Sequence, residues 1–136
     1  MELNTKSVNI LRKVHPDLQR VVRRAAKEWK DKDTGFVLTC GGRTVEAQKQ
    51  MVAKGASTTM RSRHIIAPNG WAHAVDLAFI IKGVVKWDWP LYSKLAAAMK
   101  LAAVAEKVPV EWGGDWKKFK DGPHFQLSWK QYLGTK

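Results

Sequence analysis

The chain has 136 residues, one cysteine and a formal net charge of +12. This length suits one domain with its own hydrophobic core, so we interpret residues 1–136 as a single domain. A single cysteine excludes an internal disulfide, and no apolar run reaches the about 18 residues that a transmembrane helix needs. The positive charge predicts a polyanionic partner, yet no nucleic-acid motif accompanies it, so we expect no specific nucleic acid.

The first third of the chain is basic and contains the clearest helix, Pro16 to Lys30. Apolar residues from Leu18 to Trp29 recur there at helical spacing, and His15 is interpreted as a helix-start residue. The basic helix could contact anionic polymers of a cell envelope, or its charges could be only a solvated face. The first six residues lack the apolar core of a signal peptide, which predicts synthesis in the cytoplasm without secretion by that route.

Strand and helix patterns alternate after this helix and predict an α+β fold. Cys40 ends the first predicted strand and is interpreted as a packed residue rather than a nucleophile. Thr44 is a helix-capping residue type at the start of the next helix. The predicted elements are strand Phe36–Cys40, helix Val45–Lys54, strand Ala74–Phe79, a hairpin turning at Lys82-Gly83, a helix from Asp88 to about Lys107, and strands Val110–Trp112 and Phe125–Leu127.

Two separated segments carry the residue types of a hydrolytic metal site. The first contains His64 and Asp76, and the second contains Asp121 and His124. A hydrolytic zinc site uses three protein ligands, an open position for water and a general base. We therefore predict that His64, Asp76 and His124 bind one Zn²⁺ and that Asp121 is the catalytic base.

Strand periodicity supports the choice of Asp76. Alternate side chains of a strand point to opposite faces, so Val75 and Leu77 would face a core and Asp76 the other side. Its neighbours on that side are the small Ala74 and Ala78, which leave space for an ion. A carboxylate in so apolar a strand is costly unless it is paired or bound to metal.

His73 is the alternative to His64 as a ligand. It lies three residues before Asp76, so by parity it faces away from that carboxylate. His64 lies on a long loop, residues 55–73, which can fold back over the metal, and loops of this length are often functional. We therefore assign the metal to His64 and place Ser62, two residues earlier, in the wall of a substrate-binding cleft.

The motif Ser-x-His, a loop, Ala-Val-Asp and a late Asp-x-Pro-His resembles the D-Ala-D-Ala carboxypeptidase/L-alanyl-D-glutamate endopeptidase metallopeptidases, in particular single-domain phage endolysins. Gly42-Arg43-Thr44 followed by Gln48 stands where those enzymes carry a substrate-binding arginine, and Trp112 to Trp116 precedes the last histidine as in that group. The resemblance covers about residues 15–128. It implies a hedgehog/DD-peptidase-like fold, a small, mostly antiparallel sheet packed against helices, and substrate-binding roles for Arg43 and Gln48.

The resemblance also implies a function: zinc-dependent hydrolysis of peptidoglycan stem peptides in bacterial cell-wall lysis. The phage-endolysin likeness favours the L-Ala–D-Glu bond, and a D-Ala-D-Ala carboxypeptidase stays open as the alternative. The resemblance further implies a monomer that acts on the cell wall from the periplasm after release through a holin. The non-enzymatic alternative is a basic, zinc-stabilised polyanion-binding module. Asp121 argues against that alternative, because a structural zinc site needs no spare base.

Overall fold

The computed structural model describes residues 1–55 and 62–132, and the elements below are those of these two stretches. Residues 56–61 of the long loop and residues 133–136 lie outside these two stretches. The helices are α1 Thr5–Leu11, α2 Pro16–Lys27, α3 Val45–Ala53 and α4 Trp89–Glu106. The strands are β1 Thr34–Cys40, β2 Ala74–Ile81, β3 Val84–Lys86, β4 Val110–Trp112 and β5 His124–Leu127, and a 3₁₀ turn spans Gly113–Asp115. Within the described ranges, no helix has both the length and the apolar character to cross a membrane.

The strands form one antiparallel sheet in the order β1-β2-β5-β4. β2 lies in the middle: its first three residues pair with β5, and its last three pair with β3 across a hairpin. The turn of this hairpin is Lys82-Gly83, and both residues have positive φ, as tight hairpins require. The architecture confirms the predicted α+β class with a small antiparallel sheet packed against helices.

One face of the sheet packs against α2 and α4 and forms the hydrophobic core. Full burial of a large apolar side chain contributes about 1.5–3 kcal/mol, so this layer supplies much of the stabilisation. Val75 and Leu77, which parity assigns to the core, are buried there. The core includes Leu18, Val21 and Val22 of α2, Phe36 and Leu38 of β1, Val75, Leu77 and Phe79 of β2, Leu95 and Met99 of α4, and Phe125 and Leu127 of β5.

Helix α1 is the element that the sequence pattern did not predict. It is seven residues long, too short to show a helical period. Its start is capped by Asn4, whose side chain accepts a hydrogen bond of 2.8 Å from the Ser7 N–H. The buried Ser7 hydroxyl in turn accepts a 2.9 Å hydrogen bond from the Leu38 N–H of β1. Tertiary contacts with β1 therefore fix this helix.

The predicted start of α2 is confirmed and its end is not. His15 is the N-cap, and its Nδ1 accepts a 3.0 Å hydrogen bond from the Asp17 N–H. The helix ends at Lys27, three residues before the predicted Lys30. Trp29, which the periodicity had included, instead packs edge-on against Phe36 and Phe79, with ring centroids 5.7 Å apart in each pair.

Candidate metal centre

Strand pairing brings Asp76 next to His124. In the β2–β5 register these two residues are direct partners, and on the other side of β2 Asp76 is the partner of Cys40 beyond a bulge in β1. Directly paired residues of antiparallel strands project to the same face of the sheet. Accordingly, His124 Nδ1 lies 3.2 Å from Asp76 Oδ1. The face opposite the hydrophobic core thus carries the predicted ligands of β2 and β5.

His64 reaches the same carboxylate from the loop before β2. Its Nε2 lies 3.1 Å from Asp76 Oδ1, and its ring is 5.0 Å from that of His124, nearly perpendicular at 76°. The loop is fixed at this point because the Arg43 N–H donates to the His64 carbonyl at 2.7 Å. The Ser62 hydroxyl also accepts a 3.1 Å hydrogen bond from the His64 N–H. The structure therefore brings together all three residues predicted as ligands.

Hydrogen bonds on the far side of each imidazole determine which nitrogen faces Asp76. His64 Nδ1 donates to the Gly41 carbonyl at 2.9 Å, and His124 Nε2 donates to Gln126 Oε1 at 2.7 Å. Gln126 is oriented in turn by donating to Glu111 Oε1 at 3.4 Å. As a result, His64 presents Nε2 and His124 presents Nδ1 to the Asp76 carboxylate. An outward N–H bond to a carbonyl oxygen is the usual support of a metal-binding histidine.

The electrostatics of the cluster favour a cation. Burial raises the pKa of Asp76, but hydrogen bonds from His124 and His64 lower it more, so that its pKa lies well below the ordinary value. Burial lowers the pKa of His64, but its contacts with Asp76 and Cys40 raise it more, to about 10. Asp76 therefore holds a positive charge at His64 Nε2. Two imidazole nitrogens and a carboxylate oxygen suit Zn²⁺, which could take the place of that proton.

Asp121 lies beside the cluster because of the turn before β5. Its N–H donates to the Gly113 carbonyl at 3.0 Å, and its own carbonyl accepts a 3.3 Å bond from the His124 N–H. Glycine is required at position 113, since a Cβ there would lie 2.3 Å from the Asp121 carbonyl oxygen. The Asp121, Asp76 and His124 donor atoms lie within 4.8 Å of one another. Burial, followed by the negative charge of Asp76, raises the pKa of Asp121.

Cys40 belongs to the surroundings of the site, which the interpretation as a simple packed residue missed. Its Sγ accepts a 3.1 Å hydrogen bond from Arg43 Nη2 and lies 3.7 Å from His64 Nδ1. Cys40, His64 and Asp76 are close enough to form a metal-binding group. However, Cys40 approaches the nitrogen that bonds Gly41, and His64 Nε2 faces Asp76. The thiol therefore supports the ring, and only the β1–β2 register reveals its position.

Arg43 lies next to His64 and contacts Gln48. Arg43 Nη1 donates to Gln48 Oε1 at 2.6 Å, and Gln48 is completely buried in α3. Thr44 caps this helix as predicted, since its hydroxyl accepts a 3.0 Å bond from the Ala47 N–H. The fork of Arg43 is thereby oriented by Gln48 and Cys40 at the edge of the candidate site. Substrate binding by Arg43, Gln48 and Ser62 stays a prediction.

His73 lies in different surroundings. Its buried ring packs 5.4 Å from that of His15, and its Nε2 accepts a 3.2 Å hydrogen bond from Asn69. Burial, together with the charge of Arg63, lowers the pKa of His73 to about 4, so the ring is neutral. In the two described stretches, the acidic, histidine and cysteine groups that could hold a metal do not include His73.

Arg63 is a positioning residue that sequence analysis missed. Its side chain is almost fully buried, 1% exposed, immediately before His64. One nitrogen, Nη2, donates to the carbonyls of Leu127, Ser128 and Tyr132, and the guanidinium lies 4.0 Å above the Trp129 ring. The loop that carries His64 is therefore tied to the segment after β5. An arginine in a predicted loop carries no local signal of such burial.

The fold and the site together define the class: a small α+β domain with the donor set of a metal-dependent hydrolase. The sequence model of the phage L-alanyl-D-glutamate peptidase family matches residues 1–128, and the chain belongs to that family. This confirms the family resemblance of the motifs.

Individual relatives of the chain are also described as L-Ala–D-Glu peptidases. The chain is 39% identical over 90 residues to the L-alanyl-D-glutamate peptidase of Listeria phage A118, a match that covers 66% of this chain and 29% of that protein. It is 27% identical over 126 residues to the peptidoglycan L-alanyl-D-glutamate endopeptidase CwlK of Bacillus subtilis (strain 168), over 84% of this chain and 75% of CwlK. The crystal structure of the Serratia marcescens L-Ala D-Glu endopeptidase ChiX is similar with a TM-score of 0.83 and 42% identity, over 97% of this chain and 93% of that one.

Proposed function

We propose that this protein is a zinc-dependent peptidoglycan endopeptidase that cleaves the L-Ala–D-Glu bond of stem peptides, in the manner of a phage endolysin. The observation that carries the proposal is the convergence of His64 and His124 on one oxygen of Asp76, at 3.1 and 3.2 Å, with Asp121 beside them. The named relatives supply the bond, because each is described as an enzyme for the L-Ala–D-Glu linkage, and the name of CwlK supplies the polymer, peptidoglycan.

His64 Nε2, His124 Nδ1 and a carboxylate oxygen of Asp76 would hold one Zn²⁺. When bound, zinc supplies a Lewis acid that makes water nucleophilic near neutral pH and stabilises developing negative charge on the peptide carbonyl. The protein keeps both imidazoles in the correct tautomer through Gly41 and Gln126. The ligands therefore need no large rearrangement to receive the ion.

Asp121 is the proposed general base. It accepts a proton from the attacking water and passes it to the amine that leaves when the peptide bond breaks. Its raised pKa, caused by burial and by Asp76, suits a group that must both take and return a proton. The turn from Gly113 to His124 holds it beside Asp76 and His124, with the donor atoms of the three residues within 4.8 Å of one another.

Arg43 is the proposed anchor for the substrate. A guanidinium binds carboxylates and carbonyls through a two-pronged fork, and the stem peptide carries both groups around D-Glu. Gln48 Oε1 accepts a hydrogen bond from one terminal nitrogen at 2.6 Å and Cys40 Sγ accepts one from the other at 3.1 Å, which fixes the orientation of the guanidinium at the edge of the site. Ser62, two residues before His64, is proposed to line the same cleft.

The wider setting is proposed as well: one catalytic domain over residues 1–136, a monomer, released to the wall through a holin and aided by basic residues of α2. The helix offers less free charge than its sequence suggests. Arg20 pairs with Asp17 at 2.7 Å and Arg24 with Glu106 at 2.9 Å. Exposed residues such as Arg23 are left to contact anionic envelope polymers.

Digestion of purified peptidoglycan tests the function. Mass spectrometry should show peptides with a new amino-terminal D-Glu, while L-Ala stays attached to the glycan. Loss of single alanines from the carboxyl end would instead identify the carboxypeptidase alternative. Salt-sensitive binding to polyanions without any cleavage would identify the non-enzymatic module.

A further inference from the structure

Two neighbouring tryptophans are unusually exposed on the surface. Trp87 is 53% and Trp89 48% exposed, just after the β3 strand and at the start of α4. Val84 and Val85 of β3 are also exposed, at 55% and 39%. Single exposed apolar residues are ordinary, whereas a cluster of large ones marks a binding surface.

The two indoles belong to one aromatic cluster. Asp88 between them has an extended backbone, φ −103° and ψ 140°, which places the flanking side chains on the same side. Both rings contact the buried Tyr92, with centroids 6.5 Å away for Trp87 and 5.4 Å for Trp89. Trp89 also lies 6.5 Å from Trp112. Tyr92 and Trp112 thus hold the exposed rings in place.

This cluster is continuous with the turn that carries the proposed base. Trp112 Nε1 donates to the Gly122 carbonyl at 2.7 Å, and a Cβ at Gly122 would lie 2.3 Å from Tyr92 Cδ2. Gly122 directly follows Asp121. The exposed tryptophans are therefore two contacts away from the backbone of the catalytic turn.

The chemistry of the proposed substrate explains why such a surface would lie here. In peptidoglycan the L-Ala of the stem peptide is joined directly to the lactyl group of N-acetylmuramic acid. An enzyme that cuts after this residue works one amino acid away from the glycan, so a sugar must lie close to the catalytic turn. The C–H faces of a pyranose ring are apolar and stack on rigid aromatic rings.

We propose that Trp87 and Trp89 form a subsite that stacks against a sugar of the glycan strand next to the scissile peptide. The proposal rests on the proposed function, because the closeness of sugar and scissile bond follows from L-Ala–D-Glu cleavage. The subsite would make the enzyme prefer stem peptides still attached to glycan over free peptides.

The test compares two substrates with the same peptide, one free and one attached to a muramic-acid disaccharide. For Trp87→Ala/Trp89→Ala we expect kcat/KM on the sugar-linked substrate to fall about 10- to 100-fold, given the usual range of an aromatic contact. The free peptide should change less than about twofold, and Trp87→Tyr/Trp89→Tyr should restore most of the loss. Leu101→Ala is the matched control, since Leu101 is 70% exposed on the same helix.

An equal loss on both substrates would overturn the proposal, because the tryptophans would then only stabilise the catalytic turn. No loss on either substrate would also overturn it, as would a loss confined to binding of anionic lipid vesicles. A titration with a peptide-free glycan oligosaccharide, followed by tryptophan fluorescence, tests the sugar subsite separately from the proposed endopeptidase activity. A sugar-dependent change that disappears in the double variant would support the subsite even if the wild type cleaved no L-Ala–D-Glu bond.

Discussion

Two pairs of histidines in this molecule have similar geometry and opposite chemistry. His64 and His124 have ring centroids 5.0 Å apart, and His15 and His73 have centroids 5.4 Å apart. The first pair has a half-buried carboxylate, Asp76, between its nitrogens. The second pair has the ring of Tyr132 as its neighbour.

The histidine pKa values show the effect of Asp76. The pKa of His64 is raised to about 10, whereas that of His73 is lowered to about 4. Burial lowers the pKa of both, since a charged ring loses its hydration. Only His64 has a carboxylate within 3.1 Å to reverse the effect. The pair with a carboxylate between its rings is therefore the candidate cation site, and the other pair is a packing cluster.

The largest expected effect comes from removal of that acid. Asp76→Asn keeps the shape but not the charge, so the protein should lose its metal and its activity should fall about 10⁴-fold or more. Metal content by mass spectrometry and lysis of purified walls measure both losses. Asp17→Asn, beside the other pair, is the control and should keep metal and activity. Full zinc content in Asp76→Asn would contradict the assignment of this ligand.

The next effect separates the base from the ligands. Asp121→Ala should lower turnover by roughly two to four orders of magnitude, the range for loss of a general base. The variant should still bind one zinc ion, because His64, Asp76 and His124 are unchanged. Loss of zinc from this variant would show that Asp121 is a ligand.

A third prediction compares one histidine from each pair. His64→Ala should lose both zinc affinity and wall lysis, because a ligand is missing. His73→Ala should keep its zinc, with at most a small loss of activity from altered packing near Asn69. The same metal analysis and lysis assay serve for both variants. The reverse outcome, with metal lost only from His73→Ala, would move the ligand to the other pair.

The smallest effect concerns pH and the second pair. Because the folded pKa of His73 is lowered from 6.5 to about 4, the unfolded chain binds the proton more readily between these values. Stability should therefore decrease as pH falls from about 6.5 toward 4, by at most about 3 kcal/mol from this group. His73→Phe cannot titrate there, so its unfolding free energy should depend less on pH. Identical pH dependence of the two proteins in urea unfolding would refute this.

Local patterns in the sequence were sufficient to predict the site residues that lie on β-strands. Alternation fixed the face of Asp76, since side-chain parity is a local property. The same alternation excluded His73 from the face of Asp76, in agreement with its separate packing against His15.

Contacts between distant segments were outside the reach of these patterns. Cys40 comes next to His64 only through the register of β1 on β2, and Arg63 is buried only because the segment after β5 supplies its carbonyl partners. Helix α1 is likewise fixed by the Ser7–Leu38 hydrogen bond rather than by periodicity. Register and side-chain partners of this kind depend on the tertiary structure.

The most direct measurement is anomalous diffraction at the zinc edge from crystals of the zinc-loaded protein. We expect one strong peak within about 2.0–2.2 Å of His64 Nε2, His124 Nδ1 and an Asp76 carboxylate oxygen, the usual zinc–ligand distances. A peak beside His15 and His73, or zinc bound without contact to Asp76, would contradict the account.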